Sequence, residues 1–159
     1  MIDKIFFDNH LEDLKECVNL ASDEIMQIYN SDSFEQEEKS DGSPLTKADK
    51  KSNEIILNSL EKISKDISII SEETFSEDLI KSLDQTYWLV DPLDGTKEFI
   101  NKTGEFTVNI AMINNKKVIF GIVGAPVTGK IWHGSIFEDV HSQNAVSYTH
   151  LTLPTTSPV

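Results

Sequence analysis

A single cysteine, Cys17, stands in 159 residues. It excludes an intrachain disulfide and a cysteine-built metal cluster, and points to a reducing compartment, the cytoplasm. Long apolar runs are also missing, since none nears the roughly 18 residues that a membrane span requires. The opening stretch, MIDKIFFDNHLEDLKE, is acidic and has no apolar h-region, so it does not read as a secretory signal. Positive charge is scarce: Lys and Arg total 14 against 27 Asp and Glu, a net charge of −13. Such a surface is not built to neutralise a nucleic-acid polymer or anionic lipid. It leaves room for a small anionic ligand, because a bound metal reverses the sign locally. No internal repeat is visible. What is present, 38% hydrophobic and 26% charged residues, suits a globule and is too apolar for a disordered chain.

Leu11, Leu14, Val18, Ala21, Ile25 and Ile28 recur at spacings of three and four and predict one helix with an apolar stripe. Asn9 is its expected cap, with Glu12 as capping-box partner. Residues 30–44 are polar and turn-rich and read as a loop. Thr46 reads as a second N-cap with Asp49 at N3, and Ile56, Leu60 and Ile63 continue that helix. Beyond it come strand-like runs at 66–71, 86–91, 105–113, 117–125 and 130–137. Asn114-Asn115 and the stretch 126–129 form turns between the last three. The class is α+β, with two helices packed on one face of a largely antiparallel sheet.

The densest chemistry lies in WLVDPLDGTKEF, residues 88–99. Asp91 and Asp94 sit in a segment braced by Pro92, whose φ is fixed, and Gly95, which permits a turn and a close approach. Two carboxylates so placed suit a hard cation such as Mg²⁺ or Ca²⁺. If Thr96 opens a helical turn, its free N–H groups face an anion. The same pattern also suits an ordinary polar turn. Glu72, in Ser71-Glu72-Glu73, ends an apolar strand and reads as a third carboxylate on the same rim, although two solvated glutamates would look alike. Asp49 is a fourth, beside Thr46. His10, His133, His141 and His150 have no spacing partner, and Trp88 and Trp132 read as core aromatics.

Asp91-Pro92-Leu93-Asp94-Gly95-Thr96, with Trp88 before it and Ser71-Glu72-Glu73 upstream, resembles the metal-binding signature of the inositol monophosphatase superfamily. The segment from Ser43 to Asp49, SPLTKAD, is similar to that family's T-x-x-D element. Leu93, Lys97-Glu98-Phe99 and the stretch GEFTVNIA from Gly104 resemble its CysQ branch, the 3′(2′),5′-bisphosphate nucleotidases. The resemblance implies the N-terminal part of an αβαβα sandwich and a Mg²⁺-dependent phosphomonoesterase with two or more ions. The implied substrate is a small phosphorylated nucleotide, adenosine 3′,5′-bisphosphate, cleaved to AMP and phosphate in sulfur assimilation and nucleotide recycling. It implies Glu72, Asp91 and Asp94 as carboxylate ligands and Leu93 as a ligand through its carbonyl. Glu72, Leu93, Asp94, Gly95 and Thr96 would meet the substrate. Glu72 and Thr96 would orient the attacking water, and Asp49 would hold Thr96. A bacterial member would be cytoplasmic or peripheral at the inner membrane.

Family members continue into a second α/β domain carrying a further metal-ligand Asp, which nothing after Phe137 resembles. Residues 1–145 therefore read as a metal-binding domain truncated before its partner. Residues 146–159 contain no Asp, Glu, Lys or Arg and resemble the translated adapter tail at broken ends of environmental reading frames, so they read as a non-native disordered tail, the alternative being a flexible native one. Two other functions stay open at this point: an inositol or sugar phosphate phosphatase, and an inactive metal-binding fragment or interaction module.

Overall fold

In a computed structural model, residues 2–31, 36–42, 44–81 and 83–144 are described. Helix α1 spans Lys4–Tyr29 and begins earlier than the periodicity predicted. Asp3, not Asn9, is the cap, accepting from the Phe6 N–H at 3.1 Å. The added turn seats Phe7 in the core, stacked on Phe120 at 4.7 Å between ring centroids. Leu14, Val18, Ala21 and Ile25 extend that buried stripe.

The stretch expected to be a loop holds a short hairpin, β1 (Gln36–Glu38) against β2 (Pro44–Thr46). Helix α2 (Lys47–Ile63) then starts on the predicted capping box. Asp49 Oδ2 accepts from the Thr46 N–H at 2.7 Å, and Thr46 Oγ1 accepts from the Ala48 N–H at 3.2 Å. Strand β3 (Ser68–Ser71) leads into a single 3₁₀ turn, Glu72–Thr74, and a short helix α3, Glu77–Lys81. Next come β4 (Thr86–Asp94), the five-residue α4 (Thr96–Ile100), and the meander β5 (Thr107–Asn114), β6 (Lys117–Ala125), β7 (Lys130–Ser135) and β8 (Glu138–Asn144). The expected turn after Asn114 is made by Asn115 and Lys116, both at positive φ.

The sheet order is β3-β4-β5-β6-β7-β8. Only β3 runs parallel to its neighbour among these pairs. The expected α+β class, with helices on a largely antiparallel sheet, is what the structure has. Trp88, Val90, Val108, Ile110, Met112, Phe120, Ile122 and Ile131 meet α1 and α2 in one buried core. Trp88 is fully buried and donates from Nε1 to Ser64 Oγ at 2.7 Å. The opposite face is more open, with Leu89 44% and Val118 59% exposed. No helix among the described residues is long and apolar enough to cross a membrane. The distinctive segment 146–159 lies outside the described residues.

Candidate active site

A regular strand alternates its side chains, so positions 91 and 94 belong on opposite faces of β4. The structure breaks that rule. Asp91 pairs with Asn109 and Asp94 with Thr107, so β4 uses three steps where β5 uses two. This is a bulge, where a strand carries one unpaired extra residue and re-aims its side chains. Proline suits it, having no N–H to give to the ladder. Asp91 and Asp94 thereby share the face of Asn109 and Thr107, while Leu93 turns into the core at 2% exposure. The strand expected to end at Asp91 therefore runs on to Asp94.

Gly95 ends the strand at φ 96° and ψ 40° and caps α4, which begins at Thr96. Its close approach is to protein backbone, since a Cβ built there would lie 2.7 Å from the Glu105 carbonyl oxygen. The Thr96 hydroxyl donates to Asp49 Oδ1 at 2.9 Å and also lies 3.3 Å from the Leu93 carbonyl. The other oxygen of Asp49 accepts from the Thr46 N–H and, at 2.5 Å, from the Thr46 hydroxyl. Asp49 is thus fully buried with both oxygens engaged.

Glu72 follows β3, whose last residue Ser71 pairs with Val90. Parallel pairing therefore carries Glu72 to the side of Asp91, as the rim argument expected. Burial, followed by the negative charges of Glu72 and Asp94 and a hydrogen bond with Glu72, pushes the Asp91 carboxyl up to about 7. The Leu93 N–H pulls it the other way. Asp91 Oδ1 is buried with no hydrogen-bond partner. Asn109 Nδ2 donates to Asp94 Oδ2 at 3.3 Å.

Sequence reasoning missed a cation. Lys39, in the β1–β2 hairpin, donates to Glu72 Oε1 at 3.1 Å and to Glu73 Oε1 at 2.7 Å. Burial lowers its affinity for a proton, yet the hydrogen bonds and charges of Glu73 and Glu72 keep it above the ordinary lysine range. Burial raises the Glu73 carboxyl, with Lys39 opposing. Glu72, Asp91, Lys39 and Asn109 line a cleft of about 800 Å³ whose apolar wall includes Phe75, Tyr87 and Leu89. Ser52 and Asn53 were missed too, and Ser71 was named in its motif without a role. Helical spacing from Asp49 could have found the first two.

A hard divalent cation is tested by two observations. Among the described residues, no three His, Cys, Asp or Glu side chains are already gathered into a metal-holding set, and Glu72 is turned to Lys39. The donors nonetheless match in kind: carboxylates, a carbonyl, and the buried Asp91 oxygen without a partner, which a cation would satisfy. The residues fit such an ion once Glu72 exchanges Lys39 for it.

The chain is 43% identical over 126 residues to the 3′(2′),5′-bisphosphate nucleotidase CysQ of Salmonella typhimurium, covering 79% of this chain and 51% of that protein. It is 41% identical to the protein of the same name from Escherichia coli, covering 77% and 53%. It therefore spans about half the length of the curated relatives it matches. The solved CysQ of Bacteroides thetaiotaomicron superposes with a TM-score of 0.75 at 32% identity, over 91% of this chain and 52% of that one. An inositol monophosphatase from Thermotoga maritima shares the fold at a TM-score of 0.71 and 22% identity, over 85% of this chain and 51% of its own. Residues 10–156 match the inositol monophosphatase family, and the chain belongs to that family.

Proposed function

We propose that this chain is the metal- and phosphate-binding part of a Mg²⁺-dependent phosphomonoesterase that hydrolyses the 3′-phosphate of adenosine 3′,5′-bisphosphate to AMP and phosphate. The observation that carries the reading is the bulge, which puts Asp91 and Asp94 on one face beside Glu72 and leaves Asp91 Oδ1 without a partner. Composition supports it. All 14 basic residues are lysine, so no arginine fork is on hand to grip a phosphate. Lys39, the cation that lines the cleft, is engaged by two glutamates. The identity to bisphosphate nucleotidases favours a nucleotide over an inositol phosphate.

Glu72, Asp91, Asp94 and the Leu93 carbonyl would hold the metal. Two or more Mg²⁺ ions, when bound, supply the positive charge that offsets the phosphoryl oxygens and the leaving alkoxide. Asp49 takes the hydrogen of the Thr96 hydroxyl, which leaves that oxygen's lone pairs to accept from a water molecule. Glu72 accepts the water's other proton as the water oxygen bonds to phosphorus, the bond from phosphorus to the ribose 3′-oxygen breaks, and that oxygen takes up a proton from solvent. The helical turn opening at Thr96 offers N–H groups to the phosphate.

Calorimetric titration with Mn²⁺ or Mg²⁺ tests the metal part on the chain itself, and absent binding overturns it. On the chain extended to its relatives' full length, metal-dependent phosphate release should be faster from adenosine 3′,5′-bisphosphate than from inositol monophosphate. The reverse order would refute the nucleotide assignment.

A further inference from the structure

Ile56 and Leu60 mark the buried stripe of α2, and both are fully buried. Followed back toward the N-terminus, the stripe meets Asn53, Ser52 and Asp49, three polar side chains between 0% and 7% exposed. Alanine or leucine would serve a plain core here, because polar groups cost free energy to bury unless they are bonded. Each of the three is bonded to a different segment. Asp49 holds Thr96 at 2.9 Å. Ser52 Oγ donates to the Pro92 carbonyl at 2.6 Å. Asn53 Oδ1 accepts from the Ser71 hydroxyl at 2.5 Å. Ser71 directly precedes Glu72. Pro92 stands between Asp91 and Leu93, inside the bulge, where a strand carbonyl lacks its ladder partner.

We propose that Ser52 and Asn53 are positioning residues that set the two metal-binding segments through their neighbours, Ser52 the bulge of β4 and Asn53 the exit of β3. This rests on the metal reading given above. Neither side chain is offered as a ligand, since each is bonded to a neighbour of the ligand residues. Ser52 fixes the plane of the Pro92–Leu93 peptide, and so the directions of Asp91 and of the Leu93 carbonyl. Asn53 fixes where the chain leaves β3, and so where Glu72 starts. Losing a partner one step removed from a metal ligand costs roughly 10- to 100-fold in metal affinity.

Ser52→Ala and Asn53→Ala should each weaken Mn²⁺ binding to the chain by roughly ten-fold or more in calorimetry. Ser59→Ala is the control, because that hydroxyl of the same helix bonds to the Ile55 carbonyl at 2.9 Å, away from both segments. It should leave the affinity unchanged. Amide hydrogen exchange, read without metal, separates positioning from general loosening. Exchange should quicken at residues 91–96 in Ser52→Ala and at 71–73 in Asn53→Ala, with α2 itself protected as before. Unchanged exchange at both segments, or quickening spread evenly through α2, would overturn the proposal. If the native chain binds no Mn²⁺, the metal reading fails, and the exchange pattern alone still decides the positioning roles.

Discussion

Gly95→Ala tests the turn that ends β4, and the structure sets the size of its effect. The first contribution is conformational. At φ 96° the residue lies where an L side chain is strained, which costs roughly 1–2 kcal/mol. The second is steric. The new Cβ would stand 2.7 Å from the Glu105 carbonyl oxygen and 3.2 Å from both Phe106 Cα and Cβ. Those atoms are backbone or backbone-attached in the two residues before β5, so no flexible side chain gives way. Forcing an extra methyl into a packed site costs roughly 1–3 kcal/mol more. The total, roughly 2–5 kcal/mol, corresponds to a melting temperature lower by about 5–15 °C in a chain of this length. Gly129→Ala is the matched control, at φ +63° with nothing within 4 Å of a new Cβ. It carries only the conformational part, a fall of about 2–6 °C. Thermal melts of both variants decide the matter. Melting temperatures equal within error would show that the approach of Glu105 to Gly95 is not a real constraint.

Three further outcomes follow from other residues. Mn²⁺ at a hundredfold excess over its dissociation constant should stabilise the native chain by about 2.7 kcal/mol. Asp91→Asn should lose most of that gain in a melt, while its metal-free form gains stability because one member of a like-charged group is gone. His133 is held below the ordinary histidine range by burial and by Lys15 and His141, with Glu138 and Glu12 opposing. The native state therefore favours neutral His133, and that stability is present above about pH 6.5 and lost as pH falls through the lowered value. Melts from pH 8 to 5 should show a shallower acid decline in His133→Gln than in the native chain, and parallel declines would refute this. Ser64→Ala strands the buried Trp88 N–H and should cost roughly 1–3 kcal/mol in denaturant unfolding.

What could be read from the sequence was local. Thr46 and Asp49 lie within one helical turn, so their capping box is legible without knowledge of the fold. The span of β6 is legible because a β-branched run between two turns leaves little choice. Asp3 was missed because the apolar period was counted from Leu11, although Phe6 and Phe7 already belong to the helix. The β8 segment EDVHSQN, polar apart from the exposed Val140, gives no alternation to find. His133 and His141 have no helical or motif spacing, yet they face each other across β7 and β8 with centroids 5.4 Å apart. At the site, the residue types and the shared rim of Glu72 and Asp91 were legible, and the backbone device that brings Asp94 to the same face was not. A spacing of three between Asp91 and Asp94 implies opposite faces until the bulge is known. The pairing of Lys39 with Glu72 and Glu73 spans more than thirty positions that no local rule connects.

The bonds that hold the site together differ in reach from those that hold the sheet. From β4 to β8 the chain folds back on its immediate neighbour, so each pairing closes a short loop. Asp49 meets Thr96 across 47 positions, and Ser52 meets Pro92 across 40. Contacts between distant positions form late, because chain-closure entropy must be lost before they contribute. In a refolding molecule the hairpins are then expected to form before α2 docks and the carboxylates align. A molecule arrested with α2 undocked would retain most of its strand signal in far-ultraviolet spectra and be blind to divalent cations.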